Sequence, residues 1–144
     1  MPPGTVDITA KQVSQRTAEA HGRLRLRRST IRLIREGKVP KGNPCSVAVV
    51  AGVQAAKRTY ELIPYCHQIP LTSVTVLPKI EEDAVSISTQ VKANYSTGVE
   101  MEALTACSVA LLTFWDMVKE LEKDTTGGYP DTKIESVAVT LKSK

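Results

Sequence analysis

Charged side chains border a long apolar run in the second half of the chain. Glu100 and Glu102 precede the run and Asp116 and Lys119 follow it, with no charge from 103 to 115. A lysine beside a carboxylate in a partly buried position is an acid/base couple, because burial and a charged partner shift both pKa values. The alternative is structural. Acids in a first helical turn offset the helix dipole, and an aspartate three residues before a lysine forms a surface pair.

A cysteine and a histidine lie in a turn between two prolines. Cys66 and His67 follow Pro64 and precede Pro70, and proline restricts the backbone on both sides. A histidine at this position can donate to a phosphate or move protons, or it can be a turn residue that is satisfied by backbone groups. Adjacent side chains chelate a metal poorly and the three cysteines form no C-x-x-C pair, so we expect no metal site.

The composition is that of a soluble globular chain. Its 144 residues include 42% hydrophobic and 24% charged side chains, and the length predicts one domain over residues 1–144. The formal net charge is +4, with much of the excess between Arg23 and Lys41, which predicts an anionic partner such as phosphate or nucleic acid. No signal-peptide pattern and no apolar run of about 20 residues is visible, so we expect a cytoplasmic protein without a membrane span.

The first half of the chain predicts one strand and two helices. Residues 1–20 are polar and without a pattern, and we expect them to be loosely ordered. The alternation of Arg and Leu over 23–27 predicts a short strand. Ser29 is expected to cap a short helix, and Asn43 to cap a second helix that runs to Leu62.

The second half predicts three strands and one long helix. Alternating hydrophobic residues predict strands on both sides of a hairpin at 81–83, and the segment 98–119 is long enough for a helix of about five turns. A last strand is predicted with Val137, Val139 and Leu141 on one face. With the first two helices counted as one crossover, the order is β-α-β-β-α-β, which is typical of a ferredoxin-like α+β sandwich with an antiparallel sheet covered by helices.

Several groups of residues gain meaning when they are taken together. They are Lys41-Gly42, Ala51 to Thr59, Leu62 to Pro64 with Cys66-His67, Gly98 to Ala106, and Asp116 to Lys119. In this order and spacing they closely resemble the cyclic pyranopterin monophosphate synthase family of molybdenum cofactor biosynthesis. The resemblance runs from about Val6 to Lys142. It implies a hexamer built as a trimer of dimers, active sites between subunits, and a reaction without an organic cofactor.

The resemblance also implies roles for individual residues. Asp116 and Lys119 match the family's catalytic pair, and Lys41, which matches a position near the substrate, is predicted to be catalytic with them. The substrate itself is a cyclised dihydro-GTP that is rearranged to the pyranopterin with release of pyrophosphate. The residues that match the family's substrate-binding positions are Arg16, Tyr65, Cys66, His67, Glu100, Met101, Glu102 and Lys142. Lys144 is the alternative to Lys142.

Two other classes of protein remain alternatives at this stage. A basic ferredoxin-like module can bind nucleic acid, although the chain has only one Phe, four Tyr and one Trp for stacking on bases. A structural or assembly protein would use the same charges as surface pairs only.

The length of the long helix limits how its charged ends can act. If the helix is straight, Glu102 and Asp116 lie about 21 Å apart at 1.5 Å per residue. One nucleotide cannot be held by both ends of the helix within one subunit. We therefore expect that each end serves a different site or a site completed by another chain, and that a monomer is inactive.

Overall fold

Four antiparallel strands and four helices make up the described part of the chain, residues 2–144 of a computed structural model. In chain order the elements are β1 (Ser14–Arg25), α1 (Arg28–Arg35), α2 (Pro44–Lys57), α3 (Thr59–Leu62), β2 (Ser73–Ile80), β3 (Ala84–Tyr95), α4 (Glu100–Glu122) and β4 (Lys133–Ser143). The sheet order is β2-β3-β1-β4, and every neighbouring pair is antiparallel. This α+β arrangement confirms the predicted ferredoxin-like sandwich.

The long helix α4 forms the centre of the hydrophobic core. It packs on the sheet and against α2, and its buried stripe repeats at helical spacing. Small residues permit a close approach on both sides. A Cβ at Gly22 of β1 would lie 2.8 Å from Leu111 Cδ1, and a Cβ at Gly52 of α2 would lie 3.1 Å from the Ala106 carbonyl oxygen. Glycine is therefore required where α4 meets β1 and α2.

β1 begins much earlier than the sequence pattern indicates. The expectation that residues 1–20 are loosely ordered is wrong from Ser14 onward, because β1 pairs with β3 from Ser14 opposite Tyr95 to Arg25 opposite Ala84. Arg16, Ala18 and Ala20 alternate as buried residues in this half of the strand. Alanine, glutamate and glycine, which are all present in β1, are weak strand formers, so the pairing with β3 overrides their local preference.

The helix boundaries agree with prediction at one start and differ at others. Asn43 caps α2 as expected, since its Oδ1 accepts from the backbone N–H groups of Cys45 at 3.0 Å and Ser46 at 3.2 Å. α2 ends at Lys57 rather than at Leu62, and the separate short helix α3 follows. Ser29 does not cap α1, because the N-cap residue is Arg27 and no side chain of its own caps the helix.

A buried carboxylate from α4 supplies the missing cap of α1. Glu122 is fully buried, and its oxygens accept from the Arg27 backbone N–H at 3.1 and 3.3 Å and from the hydroxyl groups of Thr30 and, at 2.6 Å, Thr132. The Arg27 guanidinium also donates to the Glu122 carbonyl at 2.9 Å. These bonds join the end of α4 to the start of α1 and to the segment before β4.

The last strand does not keep one hydrophobic face. A register shift on β4 places Leu141 opposite Glu19 and Val139 opposite Ala20, which point to different faces of the sheet. Ser136 has φ +59°, in the left-handed region. The expectation that Val137, Val139 and Leu141 share a face is therefore wrong, because a bulge reverses the alternation of side chains.

Among residues 2–144, only α4 is long and apolar enough to span a membrane by length and composition. Half of its most apolar window is buried inside the protein. The buried stripe packs on the sheet, as expected for the core helix of a sandwich.

We expect Glu122→Gln to lower the free energy of unfolding by about 2 kcal/mol, because the amide NH₂ replaces an oxygen that accepts two buried hydrogen bonds. The measurement is urea unfolding at a fixed protein concentration. Glu120→Gln is the matched control, since the Glu120 side chain is two-thirds exposed and its ion pair with Lys123 lies at the surface. Equal stability of the two variants would show that the carboxylate network does not stabilise the fold.

Candidate active site

Three charged side chains meet near the C-terminal end of α4. Lys41 extends from the loop between α1 and α2, and its Nζ lies 3.0 Å from the Asp116 carbonyl oxygen and 3.3 Å from Asp116 Oδ2. Lys119 is one helical turn after Asp116, and its Nζ lies 3.2 Å from Asp116 Oδ1. The aspartate is thus held between two ammonium groups. The structure therefore places the three residues that were predicted to be catalytic, Lys41, Asp116 and Lys119, in direct contact.

The two lysines keep the aspartate ionised. Hydrogen bonds from Lys119 and then Lys41 hold the pKa of Asp116 below its ordinary value. The side chains of all three residues are more than a third exposed, so water reaches the cluster and screens its charges. A carboxylate between two ammonium groups can accept a proton from a substrate while a neighbouring lysine donates one.

A cavity of about 610 Å³ opens at the other end of α4. It lies between the turn after α3, the first turn of α4 and the N-terminal segment. The predicted binding residues that line it are Tyr65, Cys66, His67, Glu100, Met101 and Glu102. The structure therefore brings six of the predicted site residues to one cavity.

The two glutamates of the cavity have different surroundings. Glu100 pairs with Lys142, whose Nζ lies 2.5 Å from Glu100 Oε1. Burial opposes ionisation of Glu100, but Lys142, the residue's own backbone N–H and Lys11 outweigh burial and hold its pKa below the ordinary value. Glu102 is only 3% exposed, and its Oε1 has no hydrogen-bond partner in the described chain. Burial, followed by the charge of Glu100, outweighs the bonds it accepts and raises the pKa of Glu102.

The turn residues Cys66 and His67 contact both sides of the cavity. The Cys66 thiol donates to Glu102 Oε2 at 3.6 Å. Burial, together with the nearby Glu102 and Glu100, raises the pKa of Cys66 to about 11, so the thiol is protonated at neutral pH. His67 Nε2 lies 2.6 Å from the Val6 carbonyl oxygen, which ties the turn to the N-terminal segment. Tyr65 is exposed at the rim.

Arg16 and the C-terminal lysines occupy three different environments. Arg16 is 6% exposed, and its guanidinium donates to the carbonyl oxygens of Tyr95 at 3.3 Å and Gln12 at 3.4 Å rather than lining the cavity. Lys142 reaches the cavity through its ion pair with Glu100. Lys144 forms no ion pair within residues 2–144, so the contacts favour Lys142 over Lys144 as the C-terminal site lysine.

The N-terminal segment supplies cavity residues that the sequence did not indicate. Val6, Ile8 and Lys11 line the cavity, although they precede β1 and have no regular structure. Their position depends on contacts with the turn around His67, which no periodic pattern can reveal. Lys11 precedes the strand predicted over 23–27, and a single lysine there is not a distinctive signal.

The two clusters lie at opposite ends of one unbroken helix. α4 includes both Glu102 and Asp116, and fourteen residues of α-helix correspond to about 21 Å. The cavity and the lysine–aspartate cluster therefore do not form one site within a single chain. Among the described residues, no group of three or more His, Cys, Asp or Glu side chains is arranged to hold a metal ion.

Comparison with known proteins gives consistent matches over nearly the whole chain. The MoaC family model matches residues 5–144. A probable cyclic pyranopterin monophosphate synthase of Pyrococcus abyssi is 55% identical, covering 96% of this chain and 87% of that protein. One of Sulfurisphaera tokodaii is 54% identical, with 96% and 92% covered. A Methanothermobacter thermautotrophicus protein described as a probable cyclic pyranopterin monophosphate synthase accessory protein is 50% identical, with 96% and 87% covered.

We expect Glu102→Gln to increase the rate at which iodoacetamide alkylates Cys66 at pH 9. Loss of a nearby negative charge lowers the pKa of Cys66 from about 11, so more of the thiol becomes thiolate, the reactive form. The measurement is mass spectrometry of the alkylated peptides over time. Cys45, whose pKa is raised by burial alone, is the internal control. An unchanged ratio of the Cys66 and Cys45 rates would contradict the thiol–carboxyl contact.

Proposed function

The chain belongs to the MoaC family, and on this basis we propose that it is a cyclic pyranopterin monophosphate synthase. Such a lyase rearranges a dihydro-GTP, in which C8 of the base is bonded to C3′ of the ribose, into the tricyclic pyranopterin. It also forms the cyclic phosphate and releases pyrophosphate, as a step of molybdenum cofactor biosynthesis. The observation that carries the proposal is Asp116 held between Lys41 and Lys119, since this cluster is an acid/base group at a position shared by the family's motif.

The lysine–aspartate cluster suits the proton transfers of the rearrangement. Opening and reclosing the base-derived ring requires that protons leave some atoms and reach others. Asp116 is kept ionised and can accept a proton, while Lys119 or Lys41 can donate one. A lysine that is not used for proton transfer stabilises negative charge that develops on a phosphate oxygen. We assign these three residues the catalytic roles.

The cavity at the start of α4 suits recognition of the base. A carboxylate or carboxyl group of Glu100 or Glu102 can bond to the N1–H and exocyclic amine of a guanine-like ring. Cys66, His67, Tyr65 and Met101 complete the walls of this cavity. Lys142 and Arg16 supply positive charge near this end of the molecule, which suits a triphosphate. Without a bonded partner on Oε1, the Glu102 carboxyl group has the free hydrogen-bonding capacity that a ligand requires.

We propose that the active site lies between subunits. The two clusters that carry the chemistry are separated along α4 within one chain, so a single nucleotide contacts both only if each end of α4 faces the opposite end of another copy. This requirement agrees with a homo-hexamer arranged as a trimer of dimers. We place this enzyme in the cytoplasm, with a nucleotide-derived small molecule as its substrate and without an organic cofactor.

The nucleic-acid-binding alternative is disfavoured by two features of the sheet. Tyr95 is the single Phe, Tyr or Trp residue in the four strands, so the sheet offers no row of rings for stacking on bases. The arginines near the sheet already pair with acids. Arg23 and Arg25 contact Asp83 and Glu135, and Arg28 contacts Glu82.

We expect the purified protein to release pyrophosphate from the cyclised dihydro-GTP. We expect Lys119→Ala to reduce kcat by about 10²- to 10⁴-fold, because this variant loses a proton donor beside Asp116. The measurement is coupled detection of pyrophosphate together with chromatography of the pterin product. Turnover at the uncatalysed rate by correctly assembled wild-type protein would refute the proposed function.

Lys123→Ala is the matched control for the lysine variant. Lys123 follows Lys119 by one turn and pairs with Glu120 at 3.0 Å, away from the cluster. We expect its activity to equal that of the wild type. Similar losses in the two variants would remove Lys119 from the mechanism.

We expect mixed oligomers of Glu102→Gln and Lys119→Ala chains to regain activity, although each variant alone is impaired. If a site takes the start of α4 from one chain and its end from another, random mixing leaves about one site in four with both residues intact. The measurement is turnover by co-expressed, doubly tagged oligomers. If the site lay within one chain, no chain would carry both residues, and the mixture would stay as inactive as its components.

A further inference from the structure

The backbone at Gly98 is covered by a side chain from the same segment. Gly98 lies two residues before Glu100, at the entrance to α4. A Cβ at this position would lie 2.5 Å from Glu100 Oε1 and 2.6 Å from Oε2, well inside the closest approach of real Cβ atoms. The carboxylate of Glu100 therefore occupies the space that any other residue at position 98 would fill.

Backbone conformation does not explain the need for glycine here. Gly98 is not among the glycines with φ in the left-handed region, which are Gly4, Gly37, Gly42 and Gly127. A residue with a side chain can therefore adopt the backbone angles at position 98 without strain. What the missing Cβ provides is room for the Glu100 carboxylate, since the three nearest atoms to the added carbon all belong to that carboxylate group.

The folded-back position of Glu100 creates its contacts in the cavity. In this position the carboxylate pairs with Lys142 at 2.5 Å, and its side chain is 21% exposed. The pairing neutralises one of the two cavity carboxylates, and Glu102 has no ion pair among residues 2–144. If Glu100 swung away, Lys142 would lose its partner and the charge around Glu102 would change.

We propose that Gly98 is a positioning residue of the active site, which holds the Glu100 carboxylate against Lys142 by leaving its space open. The effect of Gly98 on catalysis rests on the proposed function, whereas its effect on the position of the Glu100 carboxylate does not. Gly98 acts through Glu100 and needs no contact with the substrate. The displaced group in a Gly98→Ala variant is the end of a flexible side chain, so the variant folds normally while its site changes.

The first test is a double-mutant cycle with Gly98→Ala, Glu100→Ala and the double variant. We expect Gly98→Ala to reduce kcat/KM at least tenfold in the wild-type background and to have no further effect when residue 100 is alanine, because no carboxylate remains to be displaced. A role of Gly98 in helix formation would give the same loss in both backgrounds, and that result would overturn the proposal.

Gly128→Ala is the matched control for a glycine replacement. Its Cβ would meet only Thr126 and Asp124 atoms at 3.5 to 3.6 Å, which is ordinary contact, and the loop lies outside the proposed site. We expect wild-type kcat/KM and an unchanged midpoint of thermal unfolding. Gly98→Ala is expected to unfold at the same midpoint, so a lowered midpoint for this variant alone would overturn the claim that only the side chain is displaced.

Crystal structures of the wild type and Gly98→Ala separate this inference from the proposed function. In the variant we expect more than 4 Å between Lys142 Nζ and the Glu100 carboxylate. In the wild type we expect the two groups to form an ion pair. This result holds even if the wild type does not act on the cyclised dihydro-GTP. A carboxylate that stays on Lys142 in the variant refutes the positioning role, whatever the activity of the protein.

Discussion

The packing of one helix on the sheet determines where the charged residues at the two ends of α4 lie. α4 buries a continuous stripe of small and apolar residues against β1 and β3, and glycines on β1 and α2 allow it to lie close to both. The stripe includes Ala103, Ala106, Cys107, Ala110, Leu111, Phe114 and Val118, all at most 1% exposed. Because the helix cannot rotate or slide without exposing this stripe, the charged residues at its two ends have fixed positions relative to the sheet.

The sequence predicts those elements that have a strong pattern of their own. β2 and β3 alternate clearly, and the cap at Asn43 is a local signal that the structure confirms. The start of β1 and the cap of α1 depend on partners far along the chain. Glu122 accepts a hydrogen bond from the backbone N–H of Arg27, which lies 95 residues away, so no local sequence pattern could predict this contact. The bulge in β4 likewise arises from pairing with β1, so the faces of Val139 and Leu141 cannot be read from alternation alone.

The candidate site could be predicted only in part, because some of its contacts join residues that are far apart in the sequence. The motif residues Glu100, Glu102, Cys66 and His67 are each visible in the sequence, and the fold brings them to one cavity. The tertiary structure determines which cation pairs with which carboxylate. The spacing of Asp116 and Lys119 suggested their pairing, whereas Lys41 and Lys142 were assigned to the site by the family resemblance and their direct contacts with Asp116 and Glu100 are seen only in the structure. The two ends of α4 therefore differ electrostatically, because Asp116 lies between two lysines and Glu100 forms an ion pair with one.

The ion pairs of the arginines change the interpretation of the positive net charge. The sequence suggested that the excess between Arg23 and Lys41 serves an anionic partner. Arg23, Arg25, Arg27 and Arg28 instead pair with acids that follow them in the chain. Several of these pairs share Asp83 or Glu135, so they form a network that joins the hairpin and β4 to β1.

The cations that remain relevant to a phosphate are lysines at the two ends of α4. Lys41 and Lys119 lie at one end, and Lys11 and Lys142 lie near the other. Each of these lysines is close to a carboxylate, which partly neutralises its charge. An incoming triphosphate competes with those carboxylates for the same ammonium groups, and a phosphate with several oxygens is a stronger partner than one carboxylate. Under the proposed function, several phosphate oxygens meet several lysines at once, so the total charge of the chain does not have to be large for a triphosphate to bind.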